Sequence, residues 1–193
     1  MSVELTPEEV LWGYQQGVFP MADSRGEIAY YAVDERAVIN PAAFHVPHTL
    51  RQLCRQKPFE LAVNRDFPAV VEACANRPEG TWIAPEIARV YTELHTLGFA
   101  HSVEAYREDV LAGGLYGVSI GGAFFGESMF HRVSNASKVA LVHLVERMIE
   151  RGMTLLDVQF MTEHLRQFGT IEIPHEEYMQ RLAAALELPA RFA

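Results

Sequence analysis

An α+β fold, with a mixed sheet carrying helices on both faces, is what this 193-residue sequence predicts. Three observations lead there. The stretch Gly113–Phe130 holds two apolar runs around Gly121-Gly122, a strong short hairpin signal. The stretch from Ala136 to Arg151 has helical periodicity, opens at Ser134-Asn135 and is closed by Gly152. It lies between two strand-like runs, Ala123–Phe130 and Thr154–Phe160, so a strand, a helix and a strand in succession predict one parallel crossover.

Taken in order, the chain begins with a helix. Thr6 is its N-cap, Pro7 its first residue and Glu9 its third, the capping-box spacing, and Gly17 ends it. Val18-Phe19-Pro20 and a loop through Asp23, Arg25 and Gly26 follow. Ile28–Tyr31 and Ala37–Ile39 read as short strands, and Pro41 breaks the second. His48–Gln56 reads as a helix ended by Pro58. These 58 residues are expected to form a small α+β appendage, and residues 59–193 the main domain.

Within the main domain Phe59–Asn64 alternates as a strand, and Asp66 caps a helix to Asn76. A loop at Arg77-Pro78-Glu79-Gly80 leads through Thr81-Trp82-Ile83 to a helix from Pro85 to Gly98. His101–Tyr106 is a strand that turns at Arg107-Glu108-Asp109 into the Gly-Gly hairpin. A two-residue turn there pairs Ile120 with Ala123, Val118 with Phe125 and Tyr116 with Glu127, unless a bulge at Gly126 shifts the last pair by one. After the crossover come a helical turn at Thr162–Gln167, a strand at Thr170–Ile173 and a helix from His175 to Leu186.

Composition narrows the function. Hydrophobic residues make up 49% and charged residues 21%, as in ordinary globular domains. No apolar run is long enough to span a membrane, and no stretch reads as a signal peptide. Cys54 and Cys74 form no CxxC pair and are expected to be reduced thiols in a cytoplasmic protein. The net charge of −9 argues against broad nucleic-acid binding, although Arg51, Arg55 and Lys57 make a local basic patch, or simply a solvated helix face. No metal is expected: His45-x-x-His48 is a close histidine pair without a supporting ligand. Gly117-Val-Ser119-Ile-Gly121 matches the nucleophile elbow in letters, but a strand follows where a helix is needed.

Two places carry candidate chemistry. Glu127 interrupts an apolar strand among Phe124, Phe125, Met129 and Phe130. It is either an edge charge facing water or a carboxylate set in an apolar pocket to orient a ligand. In Thr154–Phe160, period two puts Leu156, Val158 and Phe160 on one face and Asp157 with Gln159 on the other. Two adjacent polar groups in a central strand either brace a loop or act on a substrate, Asp157 accepting a proton or orienting a nucleophile and Gln159 holding the geometry.

Six stretches in the same order, Glu79-Gly-Thr-Trp82-Ile83, His101-Ser-Val-Glu104, Gly113-Gly114-x-Tyr116-Gly117, Gly126-Glu-Ser-Met-Phe130, Asn135-Ala-Ser-Lys138 and Leu156-Asp157-Val-Gln159, resemble the leucyl/phenylalanyl-tRNA–protein transferases. The resemblance runs from Tyr14 to Tyr178. It implies a GNAT-like acyltransferase domain. It also implies transfer of leucine or phenylalanine from aminoacyl-tRNA to the α-amino group of proteins that start with arginine or lysine, marking them for degradation. No cofactor is implied. By the same resemblance Asp157 and Gln159 are the catalytic pair, and Glu127 is a pocket carboxylate. Phe124, Met129, Leu115, Leu141, Leu144 and Leu156 line the amino-acid pocket, Trp82 meets the 3′ adenosine, and Asn135 belongs to the substrate site. The chain departs from the family pattern at Gly17-Val-Phe-Pro-Met21, where a tryptophan is usual at the last position, and at Tyr30-Tyr31, where a tryptophan pair is usual. Two rivals stand beside this reading. One is an acetyl-CoA-type N-acyltransferase, whose pyrophosphate loop is missing from His131-Arg-Val-Ser-Asn-Ala. The other is a module that binds peptide N-termini without catalysis.

Overall fold

A computed structural model of the chain describes residues 5–76 and 80–193; most of the loop expected at Arg77–Gly80 lies outside them. The helices are α1 (Pro7–Gln15), α2 (His48–Gln56), α3 (Phe67–Ala75), α4 (Pro85–Thr96), α5 (Ala136–Glu150), α6 (Glu163–Arg166) and α7 (His175–Leu186). The strands are β1 (Phe19–Ala22), β2 (Ile28–Tyr31), β3 (Glu35–Ile39), β4 (Glu60–Val63), β5 (Ala100–Arg107), β6 (Val110–Ile120), β7 (Ala123–His131), β8 (Leu155–Gln159) and β9 (Ile171–Pro174).

Local chemistry sets the helix ends. At α1 the Thr6 side chain accepts from Glu9 N while the Glu9 carboxylate accepts from Thr6 N, the full capping box. At α3 the Asp66 carboxylate accepts from Ala69 N. The α5 cap differs from expectation: Asn135 takes a left-handed φ of 66° and its side chain caps nothing.

The large sheet runs β4-β5-β6-β7-β8-β3-β9. It is antiparallel throughout except between β7 and β8, which pair in parallel across the α5 crossover. The architecture is therefore the mixed α+β one. β3, taken from the first 58 residues, lies inside this sheet between β8 and β9. β1 was not expected; it pairs with β2 as a separate two-stranded sheet. Two apolar cores flank the large sheet. One holds Val10, Tyr14, Val70, Ile87 and Tyr91 from α1, α3 and α4, with Tyr178 from α7. The other holds Leu50 and the buried face of α5, including Leu141, Leu144 and Met148.

The β6–β7 hairpin turns at Gly121, whose φ of +55° suits glycine. Ile120 pairs with Ala123 and Val118 with Phe125, as the two-residue turn requires. The register then slips: Gly117 faces Gly126, Tyr116 faces Ser128, and Glu127 opposes nothing. The expected Tyr116–Glu127 pair is replaced by a bulge at Glu127. Gly117 makes the bulge possible, because a Cβ there would lie 2.2 Å from the Phe125 carbonyl oxygen.

Candidate active site

The bulge and the end of β8 meet at a cavity of about 770 Å³. Its apolar part is formed by Leu115, Met129, Leu141, Leu144 and Leu156, with Phe19, Met21 and Trp82 also on the wall. Its polar part includes Glu127 and Gln159. That volume lies within the range of small-ligand sites.

Glu127 reaches this wall because the bulge frees it from the ladder and re-aims its side chain. Its carboxylate is the hub of a buried network. Tyr91 Oη donates to Oε2 at 3.0 Å and Gln159 Nε2 donates to Oε1 at 3.2 Å. With the Tyr91 proton committed, the Tyr14 hydroxyl, which lies against the Tyr91 oxygen, is the donor to it. Burial in this apolar setting pushes the Glu127 carboxyl from the usual 4.5 up to about 7, against the lowering effect of the Tyr14 and Tyr91 hydroxyls; the Asp157 charge raises it further. Although the surroundings are protein on nearly every side, Glu127 keeps partial exposure through the cavity. A carboxyl that is half-ionised near neutrality and open to a ligand can take up and release protons.

Gln159 adopts a left-handed φ of 56°, a conformation that a non-glycine residue takes at a cost. Together with a register slip against β3, where Asp157 pairs with Val38 and Gln159 with the adjacent Ala37, this breaks the period-two alternation expected for β8. Gln159 lines the cavity and Asp157 does not, so the pair presents one polar group to a ligand rather than two. Asp157 is buried to 1% exposure. Its Oδ1 accepts the Gln159 backbone N–H at 2.9 Å, and its Oδ2 accepts the Tyr178 hydroxyl at 2.6 Å. Arg36 Nε lies 3.6 Å from the same oxygen. Burial raises the Asp157 pKa, with Arg36, Tyr178 and the Gln159 amide pulling the other way.

The other expected residues divide. Leu115, Met129, Leu141, Leu144, Leu156 and Trp82 line the cavity. Phe124 does not: it is fully buried in the α5-side core, 4.9 Å from the Phe192 ring. Asn135 is also absent from the wall, because its left-handed backbone places it ahead of α5 while Ser137 takes the lining position. Arg51, Arg55 and Lys57 lie together on a different cavity of about 640 Å³, beside Val139, Val142 and Glu146 of α5. Ser119 is a buried strand residue, and no group of three metal-ligating side chains occurs among the described residues. Both cysteines are free thiols. The sequence reading missed Arg36, Tyr14, Tyr91 and Tyr178. The tyrosines look like ordinary core aromatics, but Arg36 breaks an apolar strand as Glu127 does and was open to the same argument.

The fold thus sets the Glu127 carboxyl and the Gln159 amide against a cavity with an apolar wall. Residues 38–183 match the family described as Leucyl/phenylalanyl-tRNA protein transferase, and residues 3–34 match that family's N-terminal domain. The chain is similar to the leucyl/phenylalanyl-tRNA–protein transferase of Gloeobacter violaceus, with 53% identity over all of both chains. It is also similar to those of Salinibacter ruber (53% identity, 97% of this chain and 83% of the relative) and Phenylobacterium zucineum (55% identity, 98% and 88%). The chain belongs to the leucyl/phenylalanyl-tRNA–protein transferase family, a family of aminoacyltransferases. The structure of L-PGS from Bacillus licheniformis is a distant likeness, 14% identical with a TM-score of 0.45 over 82% of this chain and 55% of that one, and carries no argument about the site.

Proposed function

We propose that the protein transfers leucine, and also phenylalanine, from aminoacyl-tRNA to the N-terminal α-amino group of proteins beginning with arginine or lysine, which marks them for degradation. The observation that carries this reading is the juxtaposition of an apolar cavity with Glu127, a carboxyl titrating at about 7. Leu115, Met129, Leu141, Leu144 and Leu156 seat the transferred side chain. Trp82 on the same wall is offered to the 3′ adenosine, and Arg51, Arg55 and Lys57 to the tRNA backbone.

The ester that joins an amino acid to tRNA is already activated, so alignment and one proton transfer suffice, without a metal or soluble cofactor. The amine nitrogen attacks the ester carbonyl, forming the C–N bond. The Glu127 carboxylate takes the amine proton. As the C–O bond to the ribose breaks, that proton passes to the departing oxygen. Gln159 gives its NH₂ to Glu127, which leaves its amide oxygen to accept from the incoming amine and set its approach. Asp157, away from the cavity, works through Gln159 by fixing its backbone. This assignment shifts the proton acceptor from Asp157 to Glu127.

The GNAT-like relation is part of the same proposal, supported by the antiparallel run β4 to β7 followed by the α5 crossover to parallel β8. A folding boundary near residue 58 is likewise proposed, although β3 inside the large sheet ties residues 35–39 to the main domain. No helix among the described residues is long and apolar enough to cross a membrane, and a tRNA substrate favours work in the cytoplasm. Incubation with labelled Leu-tRNA and an arginine-starting peptide tests the whole reading. Label in the peptide is the expected result. Label that appears with acetyl-CoA instead, or peptide binding without transfer, would overturn it.

A further inference from the structure

Arg36 is the largest of the fully buried side chains among the described residues, at 2% exposure, and it does not reach the cavity. Its guanidinium lies over the Phe19 ring at 4.8 Å and the Tyr178 ring at 4.4 Å, and Nη2 donates to the Gly17 carbonyl. Nε and Nη1 find no hydrogen-bond partner. Buried N–H groups left unpaired are costly, and a buried ion pair seldom stabilises more than apolar residues of the same volume. As a stabiliser this is therefore a poor arrangement, and its consequence lies in what the charge holds.

What it holds is Asp157, 3.6 Å away. Both Asp157 oxygens act as acceptors, one toward the Gln159 amide and one toward Tyr178. The ionised form, with no proton on either oxygen, accepts both most strongly. The Gln159 amide bond braces the left-handed turn at the end of β8, which the Phe160 N–H also closes on the Val158 carbonyl at 2.7 Å, and Gln159 in turn bonds Glu127. We infer that Arg36 is a positioning residue for the transfer, the fixed counter-charge that keeps the Asp157 carboxylate ionised and oriented so that Gln159 stands correctly on the cavity wall. The role rests on the transfer reading given above. The groups facing Asp157 are Arg36 from β3, Tyr178 from α7, the Gln159 amide on its own strand and the Glu127 charge from β7.

The test compares full-length wild type with Arg36→Met, Arg36→Lys, Asp157→Asn and the double variant Arg36→Met/Asp157→Asn. Arg36→Met should lower kcat for leucine transfer about 10- to 100-fold, short of the full loss of an acid–base group, with KM for Leu-tRNA little changed. Arg36→Lys, which keeps the charge without the planar fork, should recover part of kcat. The double variant should be no slower than Asp157→Asn, because the two act as one unit. As pH rises above the ordinary aspartate range, the melting temperature of Arg36→Met should fall more steeply than that of wild type, as an uncompensated Asp157 ionises, and Asp157→Asn should remove the extra slope. Multiplying losses in the double variant, an effect confined to KM, or a melting slope like that of wild type would each overturn the proposal. If Arg36→Met alone fails to fold while the double variant folds, the charge pairing is supported. If both fail, Arg36 serves Gly17 and Phe19 rather than Asp157, and the proposal falls. The melting measurements need no tRNA, so they decide the Arg36–Asp157 link even if wild type transfers nothing, an outcome that would sink the transfer reading itself.

Discussion

Gln159 Nε2 donates to Glu127 Oε1 across 3.2 Å, and neither residue occupies a regular strand position. Glu127 is the extra residue of a bulge in β7, and Gln159 ends β8 with φ at +56°. Two local departures on neighbouring parallel strands thus bring a carboxyl and an amide together at one cavity wall. Regular pleating on either strand would turn its side chain elsewhere, since successive strand residues alternate faces.

The first prediction concerns Glu127. If it takes the amine proton, Glu127→Gln should lower the transfer rate by roughly 10²–10⁴, the range for a positioned acid–base group. The wild-type rate should rise with pH through about 7 as Glu127 ionises. A pH–rate profile of both forms checks this, because the variant should keep only the limb set by the substrate amine. Stability has the opposite sign. A carboxyl whose folded pKa is raised from 4.5 to about 7 binds its proton more tightly in the folded state, so its contribution is full below about 4.5 and is lost as pH rises through about 7. Glu127→Gln should therefore melt higher than wild type at about pH 8 and close to it at about pH 5.

If Asp157 orients Gln159 and Glu127 takes the proton, as proposed, Asp157→Asn should slow transfer at every pH, without recovery in alkali. It should also melt earlier. Breaking a buried ion pair leaves Arg36 uncompensated, at a cost of about 3 kcal/mol. Recovery of wild-type speed above about pH 9, where the amine needs no base, would instead return the proton acceptor to Asp157.

Met129→Ala should change the ratio of leucine to phenylalanine transfer. Met129 lies on the apolar wall, where a flexible thioether adapts to two shapes. Competition between the two charged tRNAs measures it. Phe124→Leu, away from the wall, should lower the melting temperature by the cost of a buried aromatic while leaving that ratio in place.

Gly117→Ala should lose both stability and activity. The added Cβ would meet the Phe125 carbonyl at 2.2 Å and the Phe124 ring at 2.5 Å, so β7 has to move and the Glu127 bulge moves with it. Destabilisation of about 2 kcal/mol or more is expected from such overpacking, read by denaturant unfolding.

Arg55→Ala should weaken Leu-tRNA binding and flatten its salt dependence by about one unit of slope, as expected for one phosphate contact. The overall slope should stay shallow, because a chain of net charge −9 offers few contacts to the tRNA backbone.

Most of the element list was legible because its signals are local. The capping box at Thr6–Glu9, the Asp66 cap, the Gly-Gly turn and the α5 crossover are written in adjacent residues, and each is found. β1 was missed because its residues Phe19–Ala22 include Pro20 and acquire strand geometry only by pairing with β2. The bulge was foreseen as an alternative, since a glycine beside a carboxylate in a strand allows one, but choosing it required the partner strand.

The sequence by itself determined the hairpin, the crossover, the family and the oddity of Glu127 and of the Asp157–Gln159 pair, because charge in an apolar strand is a violation visible without coordinates. Only the tertiary structure decided which of those groups face the cavity and which partners hold them. Arg36 and Asp157 lie 121 positions apart and Tyr91 and Glu127 lie 36 apart, so nothing local links them. The division also depends on a register slip in β8, where Asp157 pairs with Val38 and Gln159 with Ala37 so that Val158 is skipped, and on the left-handed turn at Gln159; Gln159 lines the cavity and Asp157 does not. A pattern of period two assumes regular pleating and cannot register such a turn, which the Phe160 N–H closes on the Val158 carbonyl and Asp157, itself held by β3 and α7, braces through the Gln159 amide.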